Sequence, residues 1–294
     1  NDHALFYALT EKFGTNVWTK WPADIRDRDQ KTMAAARKEL EERIAYEIFL
    51  QYTFDRQWHR LQAFCHARGI GLIGDIPIYV ASGSVDVWAN REYYILDEAG
   101  HPTYVAGVPG DCFNQTGQRW NSPLYRWDVM QEHQFDWWLN RLRQMFHWFD
   151  AVRLDHFIGF YNYYQLPADE NSTVGSGWFP SRGYEFFDTV LRTFPGAQFI
   201  AEDLGQVSDG VKKLRDDYKF PGLKVLPFVF DELEDAGFTT ELEDFWPKNA
   251  VVCTGTHDTN TIMGWFREEV LAGLDSKAFI ASQSDTESES DEEA

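Results

Sequence analysis

Phe149-Asp150-Ala151-Val152-Arg153-Leu154-Asp155-His156-Phe157 is the stretch whose reading decides the fold. It is a short, mostly apolar run that ends in a carboxylate, with an arginine two residues before it. In a strand, residues two apart share a face, so Arg153 and Asp155 project together. A guanidinium at that distance keeps a carboxylate ionised, as a nucleophile requires. An isolated R-x-D is more often a structural ion pair, and recurrence of the pattern is what shifts the balance.

Three other apolar runs end the same way. Ile70-Gly71-Leu72-Ile73-Gly74-Asp75 ends in Asp75, Ala197-Gln198-Phe199-Ile200-Ala201-Glu202-Asp203 in Glu202 and Asp203, and Ala250 to Asp258 in Asp258. Continuous apolar runs are the mark of strands buried on both faces. Helical stretches lie between them, so the series predicts an α/β fold of βα units with acids at the carboxyl ends. In a (β/α) barrel that end carries the active site.

Composition narrows the function. The chain has 294 residues, 44% of them hydrophobic, enough for a sizeable core. No apolar run reaches the ~20 residues of a membrane span, and Asn1-Asp2-His3-Ala4 does not open a signal peptide. The expectation is a soluble chain, cut from something longer and not membrane-bound. Cys65, Cys112 and Cys253 lack C-x-x-C spacing, which points away from disulfides and zinc and toward a reducing compartment. A net charge of −20 argues against nucleic acid as a partner. Aromatic residues make up 16% of the chain, and those in polar segments suit a sugar ligand, although most single positions read equally well as core.

The expected organisation is a helical segment over 1–68, a barrel region over 69–274 and an acidic tail over 275–294. A helix over Ala4 to Lys12 comes first, then two helices within Gln30 to Arg68 broken near Tyr52 to Asp55, with Gly69 as the stop. Gly69-Ile70-Gly71-Leu72-Ile73-Gly74 spells G-x-G-x-x-G, but it follows a helix and opens none, so a dinucleotide site is rejected. A long turn-rich loop is expected over 80–128, with Trp88, Phe113, Trp120 and Tyr125 arguing for order, and a second over Phe160 to Gly183. Further helices are expected over Gln131 to Trp148, Tyr184 to Phe194, Asp209 to Tyr218 with Ser208 as N-cap, and Thr261 to Leu274; Leu223 to Phe230 reads as a buried strand. The tail from Ser282 is too polar to order itself, and Ser284, Ser288 and Ser290 each have an acid three residues on, a phosphorylation pattern.

Asp155 and Glu202 end what should be neighbouring strands, and ~4.8 Å between strands suits the carboxylate pair of a retaining glycosidic reaction. Asp155, beside Arg153, fits the nucleophile, and Glu202, with no basic neighbour in sequence, fits a proton donor of raised pKa. Asp258, after His257, could hold sugar hydroxyls. The same acids with His156 and His257 could instead be metal ligands, although no H-x-H or H-x-x-x-H pair anchors such a site.

Gly74-Asp75, Arg153-Leu154-Asp155-His156, Ala201-Glu202-Asp203-Leu204-Gly205 and Thr254-Gly255-Thr256-His257-Asp258 fall in the order of the four signature regions of the α-amylase clan. With Pro77-Ile78-Tyr79-Val80-Ala81 and the Gly107 to Tyr125 loop, they closely resemble the 4-α-glucanotransferase (amylomaltase, or disproportionating enzyme) family over about Asp2 to Trp265. The resemblance implies a (β/α)8 TIM-type barrel, here incomplete, with five strands recognisable as the third to the seventh. It implies transfer of α-1,4-glucan segments, with Asp155 as nucleophile, Glu202 as acid/base and Asp258 as transition-state stabiliser. Arg153, His257 and Asp75 would position them, and Tyr79, Asp111, Gln118 and Trp120 would contact sugars and favour an acceptor glucan over water. No cofactor and no metal are implied, and the cytoplasm, or a plastid, is the implied location. Gly83, Gly110, Asn121-Ser122 and Thr259-Asn260 depart from the family pattern. A retaining α-glucan hydrolase and a non-catalytic glucan-binding fragment are the alternative readings.

Overall fold

The computed structural model describes residues 1–110, 117–205, 207–235 and 248–271. The expectations for Asp111, Phe113 and the acidic tail lie outside these residues. The chain divides into two compact units, Asn1–Phe220 and Pro221–Ala294, so the 1–68 helices belong to the same unit as the first strands. No helix among the described residues is long and apolar enough to cross a membrane.

The first unit opens with helix α1 (Asp2–Phe13), where the Asn1 side chain accepts the Ala4 N–H at 3.1 Å and Gly14 ends the helix at φ 67. α2 (Ala23–Arg26), α3 (Gln30–Glu39) and α4 (Glu41–His66) follow. The break expected at Tyr52 to Asp55 occurs instead at Leu40, where φ is −100 and ψ 18. Tyr52, Thr53 and Phe54 are mediocre helix formers, but without Gly or Pro they do not stop a helix already propagating. Gly69, at φ 69, lies two residues beyond the Ala67 cap and turns the chain toward β1 (Ile73–Ile76). Gly74 lies inside this strand, where an added Cβ would sit 2.6 Å from Phe149 Cγ. Two of the glycines that mimic a phosphate loop thus serve a helix stop and a helix–strand contact.

After α5 (Val85–Ala89), β2 (Tyr104–Val108) and β3 (Gln118–Pro123) come α6 (Trp127–Glu132), α7 (Asp136–Trp148) and β4 (Ala151–Leu154). The helix expected from Gln131 is thus two helices, parted where Gln134 and Phe135 take positive φ. α8 (Ile158–Tyr161), β5 (Asn162–Pro167), β6 (Gly177–Pro180), α9 (Gly183–Thr193), β7 (Phe199–Ala201) and α10 (Asp209–Asp217) complete the unit. The Ser208 side chain caps α10 by accepting from Val211 N–H at 3.4 Å.

β1 and β4 pair in parallel with Asp75 opposite Arg153, and β4 and β7 with Leu154 opposite Ala201. The two expected loops are not loops throughout. β2 pairs with both β3 and β5, and β5 with β6, giving an antiparallel sheet in the order β3-β2-β5-β6. Half of that sheet follows β1 and half follows β4, so its pairings are far apart in sequence. The aromatic residues mostly form core: Trp18, Trp88, Trp138, Phe160 and Phe186 are buried, and Phe160 stacks on Phe186 with centroids 5.2 Å apart.

In the second unit β8 (Gly222–Val225) pairs in parallel with β9 (Ala250–Cys253), and α11 (Leu226–Asp235) starts directly after β8. The strand expected to run to Phe230 therefore ends at Val225, because Pro227 fits the first turn of a helix and would be poor in a central strand. A short helix, Ile262–Trp265, and a π-helix, Phe266–Leu271, replace the single helix expected there.

Candidate active site

Asp155 and Glu202 are the residues immediately after β4 and β7. Backbone hydrogen bonds continue past the strands and fix these ends: Asp155 N–H donates to Ile76 O at 3.1 Å, Glu202 N–H to Leu154 O at 3.0 Å, and Phe157 N–H to Glu202 O at 2.9 Å. The two carboxylates thus leave adjacent strands at one level.

Arg153 meets both acids on its face. Its Nη1 lies 2.8 Å from Asp75 Oδ1 and 2.8 Å from Asp155 Oδ1. Burial works against the guanidinium charge, but the hydrogen bond to Asp75 and the charges of Asp75, Asp155 and Glu202 raise its pKa overall. The half-buried cation thus stays charged between the two acids.

Glu202 is in the opposite situation. Burial, and then the charge of Asp155, push its carboxyl up to about 7, although the N–H groups of His156 and Leu204, at 2.7 and 3.0 Å, and the charge of Arg153 pull it back. Near neutral pH one carboxyl of the pair can carry a proton while its neighbour lies against a cation. Such divergence separates a proton donor from a nucleophile.

His156 turns the chain at φ 48. Burial pushes its imidazole down to about 4, and among the described residues its Nε2 is buried without a hydrogen-bond partner. The ring stands edge-on to Trp120, with centroids 4.8 Å apart. Gly159 permits this approach, since an added Cβ would lie 2.6 Å from Ile78 Cδ1 and 3.2 Å from His156 Cδ2. Trp120, on β3, is half-buried, and its Nε1 donates to Gln118 Oε1 at 2.9 Å. Tyr79, expected to contact sugar, is buried, stacked on Tyr125 at 5.9 Å and packed against Trp120. It backs the indole.

The first unit therefore gathers Asp75, Arg153, Asp155, His156 and Glu202, with Gln118, Trp120 and Tyr79 beside them. Phe157, the next residue in the chain, points the other way in role: it is fully buried core. In the second unit His257 and Asp258 follow β9 in an exposed turn, where His257 Nε2 lies 3.2 Å from Asp258 Oδ2 and Asp258 N–H donates to Thr256 Oγ1 at 3.2 Å. Asp203 is buried and ion-paired with Arg215 of α10, which is only 13% exposed. Sequence reading missed that pair because nothing local links a strand end to a residue one helix later. It also weighed His156 only as a metal ligand, since burial of the ring depends on β3. A cavity of about 710 Å³, lined among others by Arg91, Tyr94, Trp127, Tyr163 and Arg182, holds none of these carboxylates.

Comparison with known proteins shows the family. The sequence model of the family described as 4-alpha-glucanotransferase matches residues 1–294. The chain belongs to the 4-α-glucanotransferase family. The 4-alpha-glucanotransferase of Thermus thermophilus is 43% identical over 282 residues, 95% of this chain and 55% of that protein. The chloroplastic/amyloplastic enzyme of Oryza sativa is 36% identical over 266 residues, 90% of this chain and 44% of that one. The solved amylomaltase from Streptococcus agalactiae, in complex with acarbose, matches with a TM-score of 0.85 at 35% identity, over 91% of this chain and 54% of that one. This member of the 4-α-glucanotransferase family thus has an α/β fold of the (β/α)8 barrel type and spans about half the length of the curated relatives it matches.

Proposed function

We propose that the protein is a 4-α-glucanotransferase that moves α-1,4-glucan segments between maltooligosaccharides by a retaining double displacement. The observation that carries this reading is the contrast in surroundings of two carboxyls on adjacent strands, Asp155 2.8 Å from the Arg153 guanidinium and Glu202 buried and pushed up to about 7. Glu202 protonates the glycosidic oxygen as Asp155 attacks the anomeric carbon, so the C–O bond breaks as the glycosyl–Asp155 ester forms. Glu202, now ionised, takes the proton of an incoming 4-hydroxyl, whose oxygen displaces Asp155 and restores both groups. Asp75 and Arg153 position the nucleophile. Trp120, oriented by Gln118, offers an aromatic face to a sugar ring, and a relative solved with acarbose supports an oligosaccharide-like ligand. For Asp258 and His257 the proposed roles, transition-state stabilisation and positioning, rest on their motif, as does a sugar contact for Asp111. Starch, glycogen or maltose metabolism follows as the setting, in the cytoplasm or, as in the plant relatives named chloroplastic/amyloplastic, a plastid.

Incubation with maltotriose, with products resolved by chromatography and Asp155→Asn as control, tests the reading. Glucose with a ladder of longer maltooligosaccharides, lost in the variant, is the expected result. Glucose and maltose alone would make it a hydrolase, and absence of turnover would remove the activity from this chain.

A further inference from the structure

Away from these carboxylates, at the other end of β4, two helices bring nitrogen and oxygen donors together. Asp55 and His59 are one turn apart on α4, and His147 is near the end of α7. Among the described residues, each of the three has a donor atom within 4.8 Å of the others'. His147 Nε2 lies 3.2 Å from Asp55 Oδ1, and the two imidazole rings are 4.4 Å apart between centroids.

The surroundings orient these donors. His59 Nδ1 lies 2.7 Å from the Asp55 backbone oxygen and 3.4 Å from Asp55 Oδ2; the backbone contact places the proton on Nδ1 and so leaves the lone pair on Nε2 for a metal. The Trp148 indole donates to Asp55 Oδ1 at 3.1 Å, the same oxygen that His147 faces, and so fixes the carboxylate. The helices are also joined beside the cluster, since Trp58 Nε1 and Gln62 Nε2 both donate to Trp148 O, at 2.9 and 3.2 Å.

We propose that Asp55, His59 and His147 form a divalent transition-metal site, of zinc type, bridging α4 and α7. Two imidazoles and one carboxylate suit zinc better than magnesium or calcium, which take oxygen ligands. Metal–nitrogen bonds of ~2.0–2.1 Å require the donors to close up somewhat from their present spread. Partial exposure of all three side chains allows that rotation. A fourth position is left to water. The ion would brace the helices that lead into β1 and β4, the strands bearing Asp75 and Arg153, without touching the carboxylates that do chemistry.

Isothermal titration of the chelator-treated protein with zinc chloride tests this, beside His59→Gln and His147→Gln, two changes on partly exposed side chains whose folding circular dichroism verifies. The expected result is one saturable zinc site in the parent, weakened roughly tenfold or more in each variant, with no comparable uptake of magnesium. No saturable zinc binding, or zinc binding that both folded variants retain unchanged, would overturn the proposal.

Discussion

The backbone N–H of His156 donates to Glu202 at 2.7 Å, while the ring of the same histidine is held neutral beside Trp120. These neighbours therefore titrate with opposite effects on stability. Glu202 has a folded pKa of about 7, above its unfolded value, so folding is penalised progressively as pH rises from about 4.5 to about 7. His156, pushed down to about 4, contributes stability that is present above about 6.5 and lost as pH falls toward 4. Each is worth about 3 kcal/mol across its window, and in the parent they largely cancel. Glu202→Gln should uncover the loss on acidification, and His156→Asn the loss on raising pH. Urea unfolding midpoints at several pH values check this; parallel profiles for all three proteins would contradict it.

In activity the same shift sets the alkaline limb. In the proposed mechanism Glu202 holds a proton to act on the leaving oxygen, so kcat/KM should fall above about pH 7. In Glu202→Gln the limb should vanish with most of the activity. A pH–rate profile on a maltooligosaccharide measures both.

Arg153 uses one nitrogen to hold two carboxylates. Arg153→Met should lower kcat/KM by about 100-fold or more, the scale of removing a preorganised charge from a reacting centre. Arg153→Lys should recover only part of this, since an ammonium does not reproduce the planar guanidinium. Initial rates show the losses, and the unfolding midpoint shows whether the variants still fold.

The Arg215–Asp203 pair is a matter of stability. With Arg215 13% and Asp203 4% exposed, Arg215→Met leaves a buried carboxylate short of its guanidinium and should cost about 3 kcal/mol. Arg215→Met with Asp203→Leu should regain most of it, because two apolar groups carry no desolvation cost. Denaturant titration of the single and double variants gives the coupling.

Trp120 should decide what accepts the glycosyl group. Trp120→Ala removes the aromatic face beside His156, and the ratio of transfer to hydrolysis should fall about 3- to 10-fold, the equivalent of one aromatic contact. Product ratios from maltotriose measure it.

Local sequence carried the parallel strands and their acids. Asp75, Asp155 and Glu202 stand at or beside strand ends because short apolar runs form strands, but burial on both faces holds for β7 and not for β1 or β4, whose residues alternate, with Ile73 61% exposed. Arg153 faces Asp155 through the two-residue strand repeat alone, and Ser208 caps α10 through its own side chain. The end of β8 is not legible because Leu223 to Phe230 is apolar but for Lys224, and an apolar run does not say where a strand passes into a helix.

Tertiary structure alone decided the rest. The β3-β2-β5-β6 sheet pairs segments that follow two different strands, so each segment reads as loop until its partner is present. That sheet brings Trp120 onto His156 and buries an imidazole that its neighbours in sequence would leave exposed. The pKa of Glu202, likewise, comes from burial and from Asp155 across a strand pairing. Strand periodicity is local and survives in a bare sequence, whereas desolvation is a property of whatever the rest of the chain packs around a group.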